Sequence, residues 1–151
     1  MKPVNGGFTI IELIVVLAVL AVLAGLLFPI AENSLRRQKE ADLKQALFDV
    51  RRAVDRFHDM ALVGNVSSAN VSDFPPNLEA LIKNNDANGS PYLRYIPRDP
   101  FSTDEGKQPA NTWLLRSYQS PQGIFGDGVD VYDISSSSEE IGTNGIPYRE
   151  W

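Results

Sequence analysis

Few residues in this chain have the type and spacing to do chemistry, and the first is a lone carboxylate. Glu12 follows Phe8-Thr9-Ile10-Ile11 and stands at the head of an uncharged apolar run from Leu13 to Ala31. An ionised Glu costs about 2.5 to 3.5 kcal/mol at mid-membrane and less near an edge, so in this place it calls for a partner. That requirement implies assembly with copies of the same chain. The one histidine, His58, sits between Phe57 and Asp59 in a helical pattern, where a surface position is expected rather than a catalytic one. Serines 135 to 138 have no histidine near them in sequence. Gly126-Asp127-Gly128 signals a turn without the strand and helix of a phosphate loop, and EF-hand spacing is absent. No enzyme is expected.

The elements that must carry Glu12 are legible from periodicity. Leu13 to Ala31 holds 19 residues, and a helix of that length spans about 29 Å, enough to cross a bilayer. Thirteen of the 19 are Leu, Ile, Val or Phe, favouring insertion by roughly 4 to 8 kcal/mol. A secretory signal peptide, with Lys2 as its charged start and a cut among Ala21 to Gly25, is the competing reading. Against it stand the length of the run, the charge at its head and the apolar pattern continuing to Ile30.

Beyond the run, Leu43, Leu47, Val50, Val54, Phe57 and Ala61 draw an apolar stripe, with Arg51, Arg52, Asp55 and Arg56 mostly off it. Joined to the apolar run, this predicts one helix from about Thr9 to about Leu62, stopped by Gly64-Asn65, its stripe packed on the chain's own sheet. Gly25 and Pro29 are its weak point, costing about 1 and about 3 kcal/mol relative to Ala. They predict a mild kink. After Gly64 the texture turns to loops, a short helix over 77–83, and strands over 112–119 and 129–135. In the last strand Val129, Val131 and Asp133 are expected on one face and Asp130, Tyr132 and Ile134 on the other. The fold class expected is α+β, a long N-terminal helix packed on a small antiparallel sheet. The expected parts are a leader (1–7), an assembly helix (8–31), its amphipathic continuation (32–64) and a globular head (65–151).

Gly7 before Phe8, Glu at the fifth position from Phe8, and Pro29 at the twenty-second together resemble the prepilin signature of type IV pilins and type II secretion pseudopilins. The resemblance implies that a prepilin peptidase cuts between Gly7 and Phe8 and N-methylates Phe8, leaving 151 − 7 = 144 residues. It also implies that Glu12 pairs with the Phe8 amine of a neighbouring copy. Counting Lys2 before the run against Arg36, Arg37, Lys39 and Lys44 after it would place the head in the cytoplasm. The cleavage motif instead requires a cytoplasmic leader and an exported head, and that orientation is adopted.

Three further segments narrow the resemblance. Tyr92 to Phe101 (YLRYIPRDPF), Tyr118-Gln119-Ser120-Pro121 and Asp130-Val131-Tyr132 are similar to segments of major pseudopilins. Long type IV pilins usually close a loop here with a disulfide, and this chain has no cysteine. The resemblance implies a single-pass inner-membrane protein with a periplasmic head, assembling into a pseudopilus for type II secretion with other pseudopilins and an inner-membrane assembly platform. An extracellular type IV pilus subunit and a membrane-tethered binding module are the alternatives. A net charge of −5 leaves no attraction to phosphate, so no nucleic-acid partner is expected.

The pseudopilin branch commonly binds calcium in its late loop, and the resemblance carries that role to Asp130, Asp133, Glu139 and Glu140. Calcium takes six to eight oxygens, which these carboxylates with nearby serine and carbonyl oxygens could supply. Yet Glu139-Glu140 stands where the family favours Asp, and four serines form a shorter loop. The other reading is an acidic turn closed by serine hydrogen bonds. In it, residues 143–151 lock the loop through Tyr148 and Trp151, and Arg149 pairs with an acidic neighbour.

Overall fold

The computed structural model describes residues 7, 9–64, 72–121, 123–126 and 128–151, with backbone alone for 26–32. Helix α1 runs Ile10–Leu62, 53 residues. It begins where the Thr9 hydroxyl accepts a hydrogen bond from the Glu12 amide at 3.3 Å, giving a partner to one amide that the first turn leaves over. It ends where Gly64 takes φ 77° and donates its amide to the Ala61 carbonyl at 2.9 Å, a left-handed closure that glycine adopts without steric cost. By contacts the chain forms two compact units, residues 1–38 and residues 39–151, and α1 contributes to each.

Within 39–151 the core is built on α1. Leu43, Ala46, Leu47, Val50, Ala53, Val54 and Phe57 are buried, which is the expected stripe with Ala46 and Ala53 added and without Ala61, which is only half-buried. Each large side chain among them contributes about 1.5 to 3 kcal/mol by leaving water. Phe74, Leu78, Leu81, Tyr92, Ala110, Trp113, Val131, Ile134 and Tyr148 complete the core from the other side. Arg51 leaves the stripe's edge to reach Asp133, and Arg56 donates to the Tyr92 carbonyl. Polar side chains of the same helix thus tie down the chain that covers it.

The remaining elements are short. Helix α2 is Ala80–Lys83, shorter than expected, because Asn77 accepts the Ala80 amide with its side chain at 2.9 Å and makes the preceding residues a turn. A 3-10 turn at Pro109–Thr112 leads into β1, Trp113–Arg116, which pairs antiparallel with β2, Asp133–Ser136. The register sets Trp113 opposite Ser136 and Arg116 opposite Asp133. Another 3-10 turn covers Tyr148–Glu150. The class is α+β, with a two-stranded sheet.

Both strands are shorter than their alternating patterns, and one side chain explains it. Asp130 and Val131 are neighbours yet both buried, while Val129 is 71% exposed, so alternation over 129–132 is broken. The Asp130 carboxylate turns inward and accepts from the Ser117 hydroxyl at 2.6 Å, the Tyr118 amide at 2.9 Å and the Ser72 hydroxyl. This knot diverts the chain after Arg116 and before Asp133. Gly128 is required beside it, since a Cβ there would lie 2.3 Å from the Ser117 Cβ.

Burial alone would raise the Asp130 pKa, but the hydrogen bonds from Ser117, Ser72 and the Tyr118 amide outweigh it and hold the carboxyl below 3.8. A folded pKa below the unfolded one means that the stabilisation is fully present above the unfolded value and is lost as pH falls through the folded one. Denaturant unfolding of the full chain in detergent should therefore show stability falling below about pH 4. Asp130→Asn should lose roughly 1 to 3 kcal/mol at neutral pH and flatten that acid limb, and an unchanged limb would remove Asp130 as its source.

Candidate functional site

The first residues that can be placed form a continuous run of exposed apolar side chains. Ile10, Ile11, Leu13, Ile14, Val15, Val16, Leu17, Val19, Leu20, Val22 and Leu23 are all at least about half exposed, and they lie all round α1 rather than on one side. A helix apolar on every face is normally covered by lipid or by other helices. Glu12 is the one acidic residue in its first turn, and its side chain is exposed. The positive end of the helix dipole favours a carboxylate there, by about 0.3 to 1 kcal/mol, which explains its tolerance but not its use.

Gly7 is exposed and lies outside the helix. Phe8, expected as the residue after the cut and the one methylated, lies outside the described residues. The weak point of the helix is not a break: the backbone is α-helical through Gly25 and Pro29. Among the described residues nothing lies within 4 Å of a Cβ built on Gly25. The Pro29 side chain is outside the described residues. Among the described residues no helix is long and apolar enough to cross a membrane. The last part of the expected 13–31 span falls in residues 26–32, whose side chains are not among those described.

The four late carboxylates are not brought together. Asp130 is committed to Ser117, Tyr118 and Ser72. Asp133 lies between two guanidinium groups, Arg51 at 2.8 Å and Arg116 at 3.6 Å. Glu139 pairs with Arg149 at 3.0 Å, an exposed contact worth at most about 1 kcal/mol. Glu140 is exposed, and its backbone amide donates to the Ser138 hydroxyl at 3.3 Å. Among the described residues no three Asp, Glu, His or Cys side chains are grouped to hold a metal ion. Three of the four carboxylates inferred for calcium are thus engaged by guanidinium groups or hydroxyls, and the Glu140 side chain is exposed apart from them.

The serines do what the other reading asked of them. Ser136 donates its hydroxyl at 2.7 Å, and Ser137 its amide at 3.0 Å, to one oxygen of Asp99. Asp99 is 1% exposed, and its other oxygen accepts the Phe101 amide at 2.9 Å. Ser135 donates to the Arg149 carbonyl. Asp99 went unassigned in the sequence, although Asp99-Pro100-Phe101 was noticed as a segment. Glu40 was missed although it continues the spacing of the buried stripe three residues before Leu43, because a charged side chain in a charged run reads as solvated.

His58 is half-buried and stacks on Phe74, centroids 4.0 Å apart and rings nearly parallel. Its Nδ1 is buried without a hydrogen-bond partner, and the serines of 135–138 are bonded elsewhere. The expected surface position is thus only partly met. The imidazole is used as a flat packing surface.

Comparison with known proteins bears on this N-terminal segment directly. Residues 3–28 match the prokaryotic N-terminal methylation motif. The chain is 30% identical over 104 residues to type II secretion system core protein G of Pectobacterium carotovorum subsp. carotovorum, covering 65% of this chain and 63% of that one. The match thus spans less than two thirds of the relative's length. No solved structure matches. The methylation motif, the long helix with a small antiparallel sheet and the partial match to this relative make the chain similar to pilin-like proteins and, among them, to a pseudopilin.

Proposed function

We propose that this chain is a structural subunit of a periplasmic pseudopilus that drives protein export by type II secretion. The observation that carries the reading is the helical segment from Ile10 to Gly25, apolar on all sides and exposed, with Glu12 in its first turn. Its position inside the methylation-motif match joins that surface to a processing site. Cleavage between Gly7 and Phe8 by a prepilin peptidase frees an amine where none existed. Glu12 of one copy then pairs with the amine of another, which offsets the cost of placing a carboxylate among apolar side chains. The same segment, extended through residues 26–31, anchors the subunit once through the inner membrane before assembly, with residues 39–151 in the periplasm.

The work of such a subunit is mechanical, and the chemistry is performed on it. Other pseudopilins and an inner-membrane assembly platform are its partners in this reading. The Gly25 to Pro29 stretch, helical here, is the place where the helix would yield on moving from lipid into a fibre, because its intrinsic helical cost is highest there.

The mass of the N-terminal peptide from membrane-extracted protein should begin at methylated Phe8. An intact Met1, in cells with a working export system, contradicts the processing step. Glu12→Ala should abolish fibre assembly while membrane insertion is kept or improved, since the substitution removes a cost of up to about 3 kcal/mol. If the variant still assembles, or still supports secretion, Glu12 is not the assembly contact. Fibres visible outside intact cells and lost on deletion of the chain would move the assignment to an extracellular pilus.

A further inference from the structure

Residues 139–151 are held against the rest of the 39–151 unit by a buried anion from α1. Glu40 is 5% exposed. Its Oε1 accepts from the Thr143 amide at 2.8 Å and from the Tyr148 hydroxyl at 2.8 Å, and its Oε2 accepts from the Thr143 hydroxyl. These donors come from a segment more than a hundred residues along the chain, so the contact closes a long loop that local structure alone would leave open. Around it, Tyr148 is fully buried, stacks on Phe101 at 3.9 Å and meets the Trp151 ring edge-on at 5.0 Å. Backbone bonds from Gly142 to Ile146 and from Tyr148 to Glu140 fold the segment on itself. Gly142 is required there, since a Cβ would lie 2.5 Å from the Trp151 ring.

The polarity of this closure decides what can hold it. A loop that closes on a cation turns acceptors inward, carboxylates and carbonyls, because only oxygen lone pairs coordinate calcium. A loop that closes on an anion turns donors inward. Here one amide and two hydroxyls converge on a carboxylate, which is the second arrangement. Of the four acidic side chains that could have served a cation, Asp133 and Glu139 are engaged by Arg51, Arg116 and Arg149, and Asp130 by Ser72 and Ser117; Glu140 stays exposed and is not grouped with them. We propose that Glu40 is the residue that closes the late loop of this chain, in place of a divalent cation, so that the loop is ordered independently of calcium. This holds whether or not the chain forms a pseudopilus.

Amide hydrogen exchange of the full chain in detergent, followed by NMR at Thr143 and Tyr148, tests the proposal. Exchange at both should be the same with millimolar calcium as with EDTA. Glu40→Gln should speed exchange at the Thr143 amide roughly ten- to hundredfold, as expected for loss of a charge-assisted hydrogen-bond set, and calcium should not restore it. Thr143→Val and Tyr148→Phe each remove one hydroxyl donor and keep the fold's backbone bonds. They should speed exchange by a smaller factor, roughly fivefold, and they decide the matter if Glu40→Gln fails to fold. Faster exchange in EDTA, reversed by calcium, overturns the proposal. So does unchanged exchange in Glu40→Gln, or in both hydroxyl variants.

Discussion

Burial of one face of α1 is the constraint on which residues 39–151 depend. The sheet has two strands of four residues each, and a two-stranded sheet of that size is not stable alone in water. Helix α2 is a single turn, and the other helical pieces are 3-10 turns. None of these elements has a core of its own. What they share is one buried cluster with the face made by Leu43, Leu47, Val50, Val54 and Phe57, to which each short element contributes at least one side chain. Replacing that face would remove the common partner of them all.

The chain has no cysteine, and four carboxylates are prominent among the cross-links between distant segments, beside arginine bonds to backbone carbonyls. Asp99 joins the Asp-Pro-Phe turn to β2 and the residue after it, Asp130 joins the ends of the 72–75 and 117–118 segments, and Asp133 takes two arginines. Glu40 joins α1 to the late loop. Three of these four groups are nearly inaccessible to solvent: Asp99, Asp130 and Glu40. A buried carboxylate left without donors is costly, so each such residue tolerates only the arrangement that supplies its full set. These links therefore specify the path of the loops more than they add to net stability.

The sequence made the helix, its buried stripe and the α+β class legible because all three follow from apolar periodicity. It misled over 129–135, where the alternation of Val129, Val131 and Asp133 read as a strand face. The pattern was real, but Asp130 had a stronger use for its carboxylate inside, and a period-two signal carries no term for that. Asp99 and Glu40 were hidden for a related reason. A charged residue in sequence reads as solvated, and only the donors supplied by remote segments show that it is not. Gly7, Glu12 and Pro29 were legible for the opposite reason, since their register with one another is local and needs no tertiary contact to be seen.

The two parts of α1 pose different physical problems with one backbone. From Leu43 onward its apolar side chains have partners within the chain, and the polar side chains beside them are used to secure loops. From Ile10 to Leu23 the large apolar side chains are about half exposed or more, and water is a poor environment for all of them. Lipid would satisfy the aliphatic side chains but not Glu12, whereas a packed set of like helices can satisfy both if it offers a cation at the right height. On the proposed reading, that difference sets the direction of assembly. The carboxylate makes the lipid-embedded subunit tolerable rather than comfortable, and the amine exposed by processing turns the same group into a reason to leave.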